Sequence, residues 1–114
     1  MSKPLDFGVQ SYCFRNFKDN AEVAKKVREI CLDKIEVCGV HANFHDVAKW
    51  TDVLKTYSDA GISIISLGVE TLTGNANERD VFECAAVAGA KHISVHFKVD
   101  SFPQAIKQAQ NLSD

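Results

Sequence analysis

A carboxylate interrupts the second apolar segment of this sequence. Glu36 stands between Ile35 and Val37, so in an extended strand its side chain points away from theirs. A carboxylate in such a place needs a cation, a hydroxyl group or another polar partner. Glu36 is therefore a candidate catalytic residue that would hydrogen-bond a substrate hydroxyl, and a purely structural polar pair is the open alternative.

The histidines differ in the chemistry that their spacing allows. His92 and His96 alternate with apolar residues, so they share one face of a strand, but about 13 Å separates them at roughly 3.3 Å per residue. They cannot chelate one ion together, and His96, at the carboxyl end, is the second candidate catalytic residue. His41 and His45 have the i,i+4 spacing of helical metal ligands. Because they precede a predicted helix start, His41 is instead predicted to be a substrate-binding loop residue.

Four strand–helix units position these residues. The strand-like segments begin about 28–29 residues apart, which is the spacing of the βαβ unit. Amphipathic segments follow each of them, with cap residues at Asp19 or Asn20, Asp46 and Ser101 and with glycine stops at Gly61 and Gly89. The predicted strands lie near 6–12, 34–39, 62–68 and 91–97, and the predicted helices span 21–32, 47–60, 78–88 and 102–112.

Two architectures fit this order, an open doubly wound sheet and part of a (β/α)8 barrel. The doubly wound dinucleotide-binding type carries G-x-G-x-x-G after its first strand. Here the turn reads QSYCFR over 10–15, without glycine, and no Walker-type phosphate loop occurs. We therefore predict an α/β fold, a parallel (β/α)4 half of a TIM (β/α)8 barrel, in one domain over 1–114. Because a whole barrel needs about 250 residues, the chain is expected to be half of one or a truncated one.

Composition sets the remaining limits. The 114 residues carry 13 Lys and Arg against 15 Asp and Glu, which argues against a nucleic-acid surface. No apolar run approaches the roughly 20 residues of a membrane span, and no signal layout is present, so we expect a cytoplasmic protein without membrane contact. The cysteines form no C-x-x-C pair and are predicted to be small buried residues: Cys13, Cys31, Cys38 and Cys84. Cys38 lies at the end of a predicted strand.

Four segments, taken in order, carry a family resemblance. They are 8–14 (GVQSYCF), 34–41 (KIEVCGVH), 60–67 (AGISIISL) and 86–96 (AVAGAKHISVH). Their order and spacing resemble the amino-terminal half of the sugar phosphate isomerase/epimerase family, whose fold is the xylose-isomerase-like barrel. The resemblance implies metal-dependent aldose–ketose isomerisation or epimerisation, or a related dehydration, of a small sugar or polyol.

The resemblance also implies a divalent metal, Mn, Mg, Co or Zn, held by Glu, Asp, His and Glu on strands of the second half. Those strands are not in this sequence, so this chain is expected to lack most of the metal site. More distant relatives, the DNA-repair endonucleases, bind zinc through strand-end histidines, which makes His96 a conceivable ligand. A zinc phosphodiesterase is thus a further alternative, although the near-neutral charge counts against it.

Active-site groups of such barrels lie at the carboxyl ends of strands. In the aromatic candidates, the ring would pack against the apolar face of the sugar, and ordinary packing is the alternative. For the charged candidates, a solvated loop charge is the alternative. The substrate-binding candidates that this rule adds are Gln10, Tyr12, Phe14, Glu70 and Lys98. A non-catalytic half-barrel is the other functional alternative. It would bind a partner, or form a homo-oligomer if the half-barrel is the complete chain, through the open edges of its first and fourth strands.

Overall fold

Four parallel strands and four α-helices alternate in the computed structural model, which describes residues 7–114. The strands are β1 (Val9–Gln10), β2 (Lys34–Val37), β3 (Ser63–Leu72) and β4 (His92–Phe97), in the sheet order β1-β2-β3-β4. The α-helices are α1 (Asn20–Glu29), α2 (Val47–Asp59), α3 (Arg79–Ala88) and α4 (Phe102–Leu112), and short 3-10 turns occupy Ser11–Phe14, Ala76–Glu78 and Val99–Ser101.

Each strand lies beside its neighbour in sequence, and all three pairings are parallel. A doubly wound sheet would instead reverse its direction of growth at a switch point. The mixed α/β fold is therefore consistent with an α/β half-barrel, as the sequence period indicated. Within residues 7–114, none of the helices combines the length and the apolar character that a bilayer span requires.

Two of the predicted helix caps, Asp19 and Asp46, are confirmed, whereas Ser101 precedes α4 without a side-chain capping bond. The Asp19 carboxylate accepts a hydrogen bond from the Ala21 backbone N–H at 3.1 Å, and the Asp46 carboxylate accepts one from Lys49 N–H at 3.1 Å. After α2 the chain passes through Gly61 with φ +76°, and after α3 through Gly89 with φ +72°. These left-handed conformations favour glycine and end both helices where the sequence predicted.

Other element boundaries were predicted wrongly. Helix α1 ends at Glu29 because Cys31 adopts a left-handed φ of +64°, so Ile30 and Cys31 are exposed rather than on the apolar face. Val47 was predicted to face the core but is 73% exposed at the first position of α2. Cys13 is also exposed, so two of the four cysteines depart from the predicted burial.

The first and third strands also differ from their predicted extents. Strand β1 ends at Gln10, because the side-chain oxygen of Gln10 accepts the Tyr12 N–H and starts a 3-10 turn. Its predicted start near residue 6 lies outside the described residues. Strand β3 runs on to Leu72, four residues beyond the predicted end. The fourth strand, predicted over 91–97, begins at His92 and ends at Phe97 as expected.

The helices cover one face of the sheet. Ile35, Val37 and Leu67 point into this helix side and are fully buried. Trp50 of α2 is 2% exposed, and its indole N–H donates to the Cys84 carbonyl at 3.0 Å. Burial of each large apolar side chain contributes roughly 1.5–3 kcal/mol, so this layer is the main source of stability.

Strand β3 contains two extra residues relative to its neighbours. Between Ile35 and Glu36 of β2, the pairing partner moves from Ile64 to Ser66, which leaves Ile65 unpaired. Between Gly68 and Glu70 the register against β4 shifts again, which leaves Val69 unpaired. Each bulge reverses the alternation of the residues that follow it. In the segment between the bulges, Ser66 therefore points away from the helices while Leu67 points toward them.

Candidate functional site

One polar side chain from each strand meets on the sheet face opposite the helices, here called the inner face. The Glu36 carboxylate is at the centre. Its Oε1 accepts a hydrogen bond from Gln10 Nε2 of β1. Its Oε2 accepts hydrogen bonds from Ser66 Oγ of β3 at 2.5 Å and from Ser94 Oγ of β4 at 2.6 Å. We call these four residues the Glu36 network.

The strands position this network directly. Gln10 pairs with Glu36 and Glu36 pairs with Ser66 across neighbouring strands, so their side chains emerge side by side. Ser94 reaches Glu36 across β3 because its direct partner is Gly68, which has no side chain to intervene. The Gln10 amide also donates to the Gly68 carbonyl at 3.0 Å. Every strand of the sheet therefore contributes to holding the carboxylate.

A cavity of about 530 Å³ opens at the carboxyl ends of β1 and β2, beside Val69 of β3, and we call it the edge cavity. Gln10 belongs to both the cavity wall and the Glu36 network. Tyr12 is 52% exposed, and the Arg15 guanidinium lies 4.8 Å from the centre of its ring. Ligands of parallel α/β sheets bind at this end of the strands. The edge cavity is lined by Gln10, Tyr12, Cys38, Gly39, Val40 and Val69.

Ser11 and Cys38 fix the rim of the edge cavity. The Ser11 side chain is fully buried. Its Oγ accepts the Cys38 N–H at 2.9 Å and donates to Cys38 Sγ at 3.1 Å. These bonds connect the turn after β1 to the end of β2. They hold the segments that carry Tyr12 and Val40 at a fixed separation.

Two predicted site residues lie on the fourth strand or just after it. His96 faces the inner side, paired with Thr71, and is exposed. It lies two residues beyond Ser94 and is not part of the Glu36 network. Lys98 lines a second cleft of about 460 Å³ between the loops after β3 and β4. The structure therefore places both at the carboxyl edge but away from the edge cavity.

His41 and Phe14 are directed into the body of the protein. His41 is only 5% exposed, and its Nε2 donates to the Phe17 carbonyl at 2.7 Å. The His41 carbonyl accepts from Asn20 Nδ2 at 2.7 Å, so this residue links the loop after β2 to the start of α1. Within the described chain, His41 Nδ1 is buried without a hydrogen-bond partner. Phe14 packs against the helix-side core instead of lining the edge cavity.

Glu70 is separated from the Glu36 network by the Val69 bulge. It pairs with Val95 rather than with an inner-face residue. Burial raises the pKa of Glu70, the nearby His45 opposes that rise, and Glu78 adds to it. His45 itself contacts Asp80 through Nδ1 at 2.8 Å. These contacts place Glu70 among the loops that begin α2 and α3.

The described residues do not form a set of ligands for a metal ion. Across residues 7–114, no group of three or more His, Cys, Asp or Glu side chains is arranged to hold an ion. His41 and His45 do not converge, since His41 is bonded to Phe17 and His45 to Asp80. The edge cavity offers a ligand hydrogen-bonding groups and apolar surface.

Six residues of the Glu36 network and the edge cavity were not predicted as site residues: Ser66, Ser94, Cys38, Gly39, Val40 and Val69. Ser94 alternates with Ile93 and Val95, so its inner-face position was readable from the same pattern that selected His96. Ser66 had no such signal, because it lies inside the apolar run 62–67. Its orientation depends on the bulge at Ile65, which no residue type announces.

Comparison with known proteins shows the fold and no more. No family model and no curated protein matches this chain. A crystal structure of an uncharacterized protein from Parabacteroides distasonis ATCC 8503, at 2.32 Å resolution, has a similar fold with a TM-score of 0.73 and 17% sequence identity. The alignment covers 95% of this chain and 50% of that one, so this chain spans about half the length of that solved structure.

Proposed function

We propose that this chain is the substrate-binding half of a TIM-barrel isomerase or epimerase that acts on a small sugar or polyol. The observation that carries the proposal is the Glu36 network beside the edge cavity. A carboxylate held by three hydrogen bonds on the inner face marks the carboxyl edge, where barrel enzymes bind substrate. A volume of about 530 Å³ also lies in the usual range of small-molecule sites.

The residues divide by what they can offer to a sugar. Gln10 and Glu36 supply acceptor oxygens for hydroxyl groups. Tyr12 supplies an exposed aromatic face at the mouth of the cavity, against which the carbon–hydrogen face of a sugar can pack. His96 and Lys98 lie farther along the same edge, where they would meet a larger ligand or the other half of a closed barrel.

The divalent metal implied by the family resemblance does not fit the described residues, because they provide no ligand set for it. The proposal therefore gives residues 7–114 a binding and orienting role. Glu36 and Gln10 would fix which carbon of the sugar faces the rest of a complete site. The alignment to half of a longer solved chain supports this division, since a similar fold occurs there as part of a larger protein.

Sugar titration monitored by amide NMR tests this function. D-Xylulose, D-fructose and myo-inositol are added separately to the ¹⁵N-labelled chain. We expect shifts to cluster at Gln10, Tyr12, Gly39 and Val40 and to weaken in Tyr12→Ala. Phe7→Ala is the control, because Phe7 is equally exposed, at 52%, but lies outside the cavity. Failure of all three compounds to shift these amides would reject the proposal.

A second candidate is a non-catalytic half-barrel that associates with itself. Within the described residues, β1 and β4 form the two edges of the sheet, and β1 is only two residues long. Edge strands carry unpaired backbone groups that invite pairing with another chain. Light scattering after size-exclusion chromatography tests this candidate. It requires a concentration-dependent dimer that Val95→Pro in β4 weakens, and a monomer at all concentrations would exclude it.

A further inference from the structure

The Glu36 network uses its hydrogen atoms internally. Both hydrogens of the Gln10 amide are taken, one by Glu36 Oε1 and one by the Gly68 carbonyl. The hydroxyl hydrogens of Ser66 and Ser94 both go to Glu36 Oε2. A carboxylate has lone pairs and no hydrogens, and each hydroxyl oxygen has only lone pairs left. The network therefore presents only acceptors to anything that approaches it.

Gln10 belongs to the Glu36 network and also lines the edge cavity, where it presents a hydrogen-bond acceptor. Its Oε1 accepts one hydrogen bond, from the Tyr12 N–H at 3.1 Å, and an amide oxygen has two lone pairs. One lone pair remains for a ligand. Among the described residues, Glu36 Oε1 likewise accepts one hydrogen bond, from Gln10. A ligand hydroxyl that bonds to either of these oxygens must donate its own hydrogen.

Positive side chains do not line the edge cavity in the described part of the chain. Its walls are amide, phenol, thiol, backbone and two valine side chains. Arg15 contacts the lining residue Tyr12, because its Nη1 donates to the Tyr12 carbonyl at 3.2 Å and its guanidinium lies over the ring. Lys98 belongs to the cleft between the loops after β3 and β4. Phosphate groups are usually bound by arginine, lysine or clustered backbone N–H groups.

We infer that the edge cavity selects an uncharged polyhydroxylated ligand, a free sugar or polyol, and rejects its phosphate ester. This inference rests on the proposed function and narrows it. Hydroxyl groups donate to Gln10, which connects the cavity to the Glu36 carboxylate, while carbon–hydrogen groups contact Tyr12, Val40 and Val69. A phosphate offers only acceptors and negative charge, and it would face the acceptors of the network without a hydrogen between them.

Matched pairs of ligands test the inference by calorimetry and amide NMR. The pairs are D-xylulose with D-xylulose 5-phosphate and D-fructose with D-fructose 6-phosphate. We expect each free sugar to bind about tenfold more tightly than its phosphate, in line with the effect of unfavourable charge contacts. Glu36→Gln should reduce this ratio, since the amide introduces two N–H donors. Val40→Lys, at the partly exposed rim, should reduce it by supplying a cation without altering the network.

Glu29→Gln is the matched control. It removes one negative charge, as Glu36→Gln does, but from an exposed position on α1. An equal fall of the ratio in Glu29→Gln would overturn the inference, because net charge would then explain the preference. Equal or tighter binding of the phosphates would also overturn it while leaving the proposed function intact. Ca²⁺ alone shifting the same amides would overturn it too, by identifying a cation site. Absence of binding by every sugar would reject the proposed function itself.

Discussion

Substitution of Gly68 by alanine should separate strands β3 and β4. An added Cβ would lie 2.4 Å from the Ser94 carbonyl oxygen and 3.1 Å from the Ser94 Cβ. The neighbour is backbone, so it cannot rotate away as a flexible side chain would. The φ of Gly68 is +133°, a conformation that residues with a side chain rarely adopt. The substitution therefore combines a steric clash with backbone strain.

The two effects can be estimated separately. A residue held in a sparsely populated backbone conformation costs about 1–3 kcal/mol. Forcing extra carbon into a packed position costs typically about 1–3 kcal/mol. Together they predict a loss of about 2–6 kcal/mol, against a total stability of about 5–15 kcal/mol for a domain. Because Gly68 also accepts from Gln10, the Glu36 network should loosen at the same time.

Urea unfolding followed by Trp50 fluorescence measures the loss, and two other glycines isolate its parts. Gly89 has φ +72° with nothing within 4 Å of an added Cβ, so Gly89→Ala should show the strain alone, about 1–2 kcal/mol. Gly39→Ala meets only Glu70 Oε1 at 3.9 Å and should change stability little. Equal losses for Gly68→Ala and Gly89→Ala would refute the argument from close strand approach.

Three further substitutions probe the polar groups. Glu36→Ala should lower the free energy of unfolding by about 2–4 kcal/mol, because the buried Ser66 hydroxyl loses its acceptor. A urea unfolding curve unchanged from wild type would contradict this prediction. Ser11→Ala should cost about 1–3 kcal/mol and accelerate amide hydrogen exchange at Cys38, whose N–H loses its partner; unchanged exchange would disprove the role of that bond. Burial raises the pKa of Glu70, so the folded state binds its proton more tightly than the unfolded state does. The contribution of Glu70 to the free energy of unfolding is therefore lost as the pH rises through the folded pKa. Glu70→Gln should therefore raise the free energy of unfolding at pH 7, and this gain should disappear below the unfolded pKa of about 4.3. Urea unfolding at pH 7 and below about pH 4.3 measures the difference. A gain in stability that grew on acidification would contradict the prediction.

The order of the elements was readable from the sequence because each element carries its own local signal. The period of about 28–29 residues predicts strand–helix units. Asp19 and Asp46 cap helices with short side chains that reach the first turn, and Gly89 ends one where φ must be positive. The end of α1 was missed, because Cys31 takes up a left-handed conformation that its residue type does not announce.

Two residues of the Glu36 network were site candidates from the sequence, although the network itself was not predicted. The face of Glu36 follows from its apolar neighbours on β2, and Gln10 was selected because it lies at the end of the first strand. Ser66 was hidden because a bulge reverses the alternation inside an apolar run. Glu70 was predicted to follow the third strand, but β3 extends to Leu72, so Glu70 lies within the strand and pairs with Val95. His41 was missed as a buried link because its partner, the Phe17 carbonyl, is 24 residues away in sequence.

The extra residues of β3 indicate where this chain can change its length. Ile65 and Val69 have no pairing partner in the neighbouring strands, so removing either one would restore ordinary alternation without moving any paired residue. Removing Leu67 instead would shift every later residue of the strand to the opposite face. Single deletions in β3 should therefore be tolerated at these two positions. Ser66, which lies between them, would keep its contact with Glu36 while the strand around it became shorter.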